Sequence, residues 1–222
     1  MQYPIAAERS PSAGRSLGRA MAFAIGVLGA YMIVDLLTSV GTFFLSKAAD
    51  DPIGNSVLHR VIPWLWMIPV VAIAVGLVAA ADPAVRSRGA AAGAAALAVV
   101  VSAFHSAALT VEAVVGFVYD MSDGSLAVYR ILLATTFAAL VAGWIFGHRR
   151  SLAGLIIVPF AGAAMYWVND LVGYSINFDL ESLADWLASC FTFTAAYIAV
   201  AVAFCWLAVG IDKLAAPQQP RY

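Results

Sequence analysis

The sequence predicts an all-α polytopic membrane protein of six transmembrane helices, and three observations carry that prediction. Of its 222 residues, 63% are hydrophobic and only 11% charged, with a mean hydropathy of +0.90, whereas a soluble domain is roughly half apolar and a quarter charged. Six apolar runs, at 20–46, 61–81, 89–118, 126–147, 153–176 and 186–211, each supply the roughly 20 helical residues that cross a hydrocarbon core of about 30 Å. The runs are continuous, without the alternating polarity of barrel strands.

The first run follows three arginines and is followed by Ser46-Lys47-Ala48, so it resembles a secretory signal. It is longer than a signal core of roughly 7–15 residues and carries an acid at its middle, and it is read as an uncleaved first helix. In the second run, "VIPWLWMIP" places Trp64 and Trp66 at a membrane boundary and Pro63 and Pro69 around a kink. The third and fourth runs carry Gly89/Gly93 and Gly143/Gly147, two GxxxG patterns that mark close helix contacts. The fifth holds Pro159 and Gly162, a second expected break, and the sixth is preceded by "INFDLESLADW", where 179–182 start a short interfacial helix before Trp186. Cys190 and Cys205 share one helix roughly 22 Å apart, too far for a mutual disulfide, and are packing residues.

Lys and Arg in short loops stay preferentially on the cytoplasmic side. With the N-terminus inside, that side receives Arg9, Arg15, Arg19, Arg86, Arg88, Arg149, Arg150, Lys213 and Arg221, and the outside only Lys47, Arg60 and Arg130. The prediction is N-in/C-in. It divides the chain into a mobile cytoplasmic tail (1–19), a membrane domain (20–211) and a C-terminal cytoplasmic tail (212–222), with no soluble domain. The Ala-, Val- and Arg-rich, Lys-poor composition is that of a GC-rich bacterial gene, placing the chain in a bacterial cytoplasmic membrane.

Function is sought in the polar residues that interrupt the spans. Asp35 sits inside "AYMIVDLLTS", and an ionised carboxylate near a bilayer centre costs roughly 2.5–3.5 kcal/mol unless it faces protein or water. The third run places His105 and Glu112 seven residues apart on one helix face with Ser102, Ser106 and Gly116. The fifth contains Asn169 and Asp170, with Tyr166 and Tyr174 one turn to either side. Tyr31, Tyr166 and Tyr174 are read as packing or belt residues. The three acid-bearing runs are odd-numbered and therefore parallel, so their acids converge on a pocket open to the outside, to which Arg130 contributes a partner for Glu112 or Asp170. An echo between "GAYMIVDLLTSVGTFF" and "GAAMYWVNDLVGYSINF", with "VEAVVGFVYD" as a looser copy, suggests a three-hairpin pseudo-repeat about an axis along the membrane normal.

Several chemistries lack their residues. There is no HxxxH, HExxH or CxxC for a metal, no GxSxG nucleophile, no phosphate loop for a built-in ATPase, and no intramembrane lysine for a Schiff base; the sequence assigns no cofactor. The expectation is a non-enzymatic membrane transport or channel protein, or the membrane component of a transporter. Its acid-lined interior, formed by Asp35, Glu112, Asp170, Arg130, His105 and Asn169, takes a cation, proton or small polar solute. The alternative is a non-catalytic accessory or assembly subunit of a larger membrane complex. A third reading is an intramembrane enzyme acting on lipid or quinone, with His105 and Glu112 as base and acid. Expected partners are the lipid bilayer, the solute, and other membrane subunits or copies of the same chain; nucleic acid is not among them.

Overall fold

The computed structural model describes residues 67–79, 88–115, 123–148, 152–175 and 182–215, together with 33, 36, 37, 40, 61, 64, 65 and 81. All described elements are helices: α1 Met67–Ala79, α2 Arg88–Val115, α3 Asp123–His148, a 3₁₀ segment Leu152–Ile157 running directly into α4 Val158–Ser175, and α5 Leu183–Ala215. Among the described residues, four stretches are long and apolar enough to cross a membrane, namely Arg88–Thr110, Ala127–Gly147, Leu152–Val172 and Leu183–Ile211. These correspond to the third to sixth apolar runs. As a described helix α1 has 13 residues, about 20 Å at 1.5 Å per residue and short of a full crossing by itself. Most of the 20–46 run, including the first copy of the sequence echo, lies outside the described residues.

Consecutive helices run antiparallel, because their contacts step in opposite directions along the chain. Between α2 and α3, Ala91 lies against Gly147 and Ala94 and Ala95 against Gly143, while His105 meets Tyr129 further along. Between α3 and α4, Ala134 and Ala138 touch Gly162, and Arg130 reaches Asp170. Short connections between hydrogen-bonded helices leave this as the only efficient packing. Helix α3 lies at the centre, in contact with α1, α2, the 3₁₀ segment, α4 and α5.

The apolar core occupies one end of the bundle. Leu77, Val141, Trp144, Ile145, Ile157, Ala161 and Ala208 are buried together there, with Phe137, Leu140, Phe204 and Cys205 packed around them. Cys205 thus has the packing role its sequence context suggests; the side chain of Cys190 lies outside the described residues. Lipid tails are as apolar as these side chains, so close approach and dispersion, rather than escape from water, hold this end together.

Close approach is concentrated on one of the two glycine patterns. A Cβ at Gly143 would stand 3.5 Å from the Ala91 carbonyl oxygen, and one at Gly147 3.4 Å from Ala81 Cβ and 3.5 Å from the Leu77 carbonyl oxygen. At Gly89 and Gly93 a Cβ would meet nothing within 4 Å, so these two residues do not make the helix contact their spacing suggests. Their helix turns Ala91, Ala95 and Ala98 inward instead, each buried. In an alanine-rich helix a glycine pair is one of several small faces, and the partner's shape selects among them.

Pro69 is preceded by further helical residues at 64 and 65, and the kink expected around Pro63 and Pro69 falls on a stretch of which 62, 63 and 66 lie outside the described residues. Pro159 falls at a helix start, as the second residue of α4, a first-turn position where a missing N–H is tolerated. The expected break at Pro159 is therefore a change from 3₁₀ to α-helix at Ile157–Val158, and Gly162 lies beyond it as a contact residue. At α5, Ser182 Oγ accepts from the Asp185 N–H at 3.1 Å while donating to the Asp185 carboxylate at 2.5 Å. Ser182 thereby caps the long helix itself; residues 179–181 of the expected interfacial helix lie outside the described residues.

Replacing Gly143 by Leu wedges α2 from α3 and lowers stability by about 1–3 kcal/mol, whereas Gly93→Leu changes it by less than about 0.5 kcal/mol. Unfolding titrations of the two variants in mixed micelles check the contrast; equal destabilisation would contradict the assigned interface.

Candidate functional site

The polar residues collect at the opposite end of the bundle from the apolar core. Arg130 lies three residues inside the end of the Ala127–Gly147 span and Asp170 two residues inside that of Leu152–Val172, so both backbones sit within roughly 5 Å of the apolar boundary. Charge is cheaper there than at the bilayer centre. Helical side chains lean toward the helix N-terminus. Arg130, early in α3, therefore leans outward along the bundle, and Asp170, late in the antiparallel α4, leans inward. The two leanings bring the side chains toward each other across the helix pair.

They form an end-on fork. Arg130 Nη1 donates to Asp170 Oδ2 at 2.8 Å and Nη2 pairs with Oδ1 at 2.5 Å. The side chains are 20% and 19% exposed, so the pair is largely desolvated yet reachable. Two parallel charge-assisted hydrogen bonds fix the guanidinium and carboxylate in one plane. One turn before Asp170, the Tyr166 ring stands 6.0 Å from Arg130 Cζ, within the range at which an aromatic face attracts a guanidinium. Tyr166 in turn packs edge-on against Trp167 at 5.1 Å. Arg130 Nε is buried and has no hydrogen-bond partner among the described residues.

A second set of contacts joins α2 to its neighbours. The His105 ring meets Tyr129 edge-to-face at 5.9 Å. Tyr129 and Arg130 are successive in α3 and so project about 100° apart, the first to α2 and the second to α4. The serines flanking His105 on its face, Ser102 and Ser106, are buried. Near residue 110, Trp64 Nε1 donates to Thr110 Oγ1 at 3.0 Å, and that hydroxyl donates to the Ser106 carbonyl at 2.8 Å. Trp64 is 45% exposed, as suits a boundary tryptophan with one apolar and one polar end. Other intramembrane hydroxyls, those of Thr135, Thr136 and Thr192, donate to carbonyls four residues earlier. Such back-bonding hides a hydroxyl from lipid without a partner helix.

Of the six residues singled out from sequence, the structure brings Arg130 and Asp170 together and places His105 on Tyr129. Asp35 lies outside the described residues; Glu112 in α2 and Asn169 in α4 have described backbones, and their side chains lie outside the description. Of the two acids proposed for Arg130, Asp170 meets it; the side chain of the other, Glu112, lies outside the description. Tyr166, read as a packing or belt residue, packs against Trp167 and also stands beside the guanidinium; its place four residues before Asp170 was the available signal for the second contact. Tyr129 and Thr110 carried no such signal, since only the hairpin register sets them against His105 and Trp64. Among the described residues no three His, Cys, Asp or Glu side chains come together in a way that holds a metal ion.

Partial burial sets the strength of the ion pair between the roughly 0.2–1 kcal/mol of exposed pairs and the 3–5 kcal/mol lost on breaking buried ones. A double-mutant cycle of Arg130→Gln and Asp170→Asn should return a coupling of about 1–3 kcal/mol in unfolding free energy; additive effects would mean that the fork does not form. No family model matches the chain, and neither a curated protein nor a solved structure matches it, so the chemical reading rests on these residues.

Proposed function

We propose that the chain is a membrane transport or channel protein, or the membrane component of a transporter, with six spans and both termini in the cytoplasm of a bacterial cell. Its solute site lies at the outer end of α2, α3 and α4 and receives a cation, a proton or a small polar solute. The observation that carries this reading is the Arg130–Asp170 fork, a charge pair placed between apolar helices and left about one-fifth exposed. Charged side chains in membrane helices mark substrate and ion pathways more often than they serve packing alone. The large, uncharged core at the other end already joins the same helices, so the pair is not needed merely to make α3 and α4 adhere.

The fork also supplies a means of coupling. A proton or cation arriving at Asp170 competes with a guanidinium tethered to α3 for the same carboxylate. Occupancy of Asp170 and release of α3 from α4 at this end become one event, while the packed core at the other end acts as the pivot. A bistable contact of this kind is what a ligand needs in order to shift a conformational equilibrium.

The second reading, an accessory subunit, draws on the outer face of α5. There Phe191 and Trp206 frame Ala195, Ala199 and Ala203 in a shallow apolar groove of about 560 Å³. Acyl chains satisfy the same surface, so α5 alone does not select a protein partner.

In liposomes loaded with pH- or cation-sensitive dye, the wild-type chain should dissipate an imposed proton, sodium or potassium gradient. Asp170→Asn removes a charge-assisted contact worth about 1.5–3 kcal/mol and lowers that flux about ten-fold or more, with helix content and micellar size unchanged. Equal flux through wild type and variant would end the assignment of Asp170 to the pathway.

A further inference from the structure

The ion pair uses only one edge of the Arg130 guanidinium. Both Nη atoms are engaged by Asp170, whereas Nε is buried without a hydrogen-bond partner among the described residues. A guanidinium is planar, with five N–H groups in fixed directions. The Nη1/Nη2 end forms one fork. Nε–H and the adjoining N–H of one Nη point sideways in parallel and form a second, with the spacing of two oxygens on a carboxylate or phosphate. Tyr166 lies 6.0 Å from Cζ, and contact with a ring face uses the π-side of the group and takes none of its N–H donors.

A buried donor of a charged group left unsatisfied is a standing penalty, and a native structure removes it by supplying an acceptor. Cations cannot supply one. An uncharged carbonyl can, but its single oxygen is shared between the two N–H groups and carries no charge, whereas an oxyanion sets one oxygen on each and carries the complementary charge. The geometry points to a binding site for an oxyanion on the Nε edge of Arg130, so that the guanidinium is held between Asp170 on one fork and a carboxylate or phosphate group on the other. The inference rests on the reading of this pair as a solute site and narrows the solute to one bearing an oxyanion. The filled site has two negative groups around one positive one; a proton on Asp170 or an amine on the solute restores neutrality, which ties anion entry to the competing cation or proton at the same carboxylate. The oxyanion has two sources, a dissolved carboxylate and a phospholipid headgroup from the adjacent interface.

The test uses the full chain in phosphatidylcholine nanodiscs, with unfolding followed by tryptophan fluorescence as sodium acetate is titrated against sodium chloride at equal ionic strength. Acetate should raise the unfolding temperature saturably beyond chloride. Arg130→Lys keeps a cation for Asp170 but has no second fork, and should weaken the apparent acetate affinity about ten-fold or more. Asp170→Asn leaves both forks and should bind acetate at least as tightly as wild type. Opposite responses of the two variants distinguish site binding from a general effect of either substitution on folding. Should acetate have no effect in phosphatidylcholine while phosphatidylglycerol discs give a stabilisation that Arg130→Lys removes, the oxyanion is a headgroup phosphate. An acetate effect identical in wild type and Arg130→Lys, or no oxyanion effect in either disc, overturns the site. Asp170-dependent cation or proton flux in the same preparation without an oxyanion effect would leave the transport reading intact and end this one; an Arg130-dependent oxyanion effect without flux would do the reverse.

Discussion

The arrangement of this protein depends on how closely α3 is approached by its neighbours. In lipid there is no general drive for one apolar helix to seek another, so association depends on backbones coming near enough for many weak contacts to accumulate. Gly143 and Gly147 on α3 and Gly162 on α4 permit that, with carbonyl oxygens and alanine methyls of the adjacent helix at 3.4–3.6 Å from where a Cβ would stand. Because α3 touches every other described helix, its rotation and height set theirs. The close approach of Gly162 to Ala134 and Ala138 belongs to the same α3–α4 packing in which Arg130 meets Asp170.

A division of labour along the bundle axis follows. One end is dry and densely packed, with Ile145, Ala161 and Ala208 shielded from any solvent. The other carries the ion pair, the His105–Tyr129 contact and the Trp64–Thr110 hydrogen bond. Packing at the first end is built from apolar side chains, whereas contacts at the second are polar or charged. The hydroxyls of Thr135, Thr136 and Thr192, whether exposed or buried, are closed onto their own backbones.

The ion pair also changes what the acids mean. Read along the chain, Asp170 is one of several carboxylates arranged for a cation. In the fold its charge is already matched, and the group with spare hydrogen-bonding capacity is the arginine. Neutral pairs of this kind lower the cost of keeping ionisable groups in the membrane, and here the pair leaves one buried donor, Arg130 Nε, without an acceptor among the described residues.

Much of this was legible from composition and position alone. Length and hydropathy mark the third to sixth runs within a few residues of α2, α3, the 3₁₀–α4 stretch and α5, because a helix that satisfies its own backbone needs nothing from elsewhere in the chain. The same reasoning identified Arg130, Asp170 and His105 as residues that an apolar helix would not carry idly. What the sequence could not settle was rotation. Soluble helices announce their inner face by an apolar stripe, whereas these are apolar all round, so nothing local told Gly143 from Gly93, or whether Arg130 turned to α2 or α4. Only the tertiary structure decided that, because shape complementarity between small residues on neighbouring helices is a property of the pair and is written in neither helix by itself.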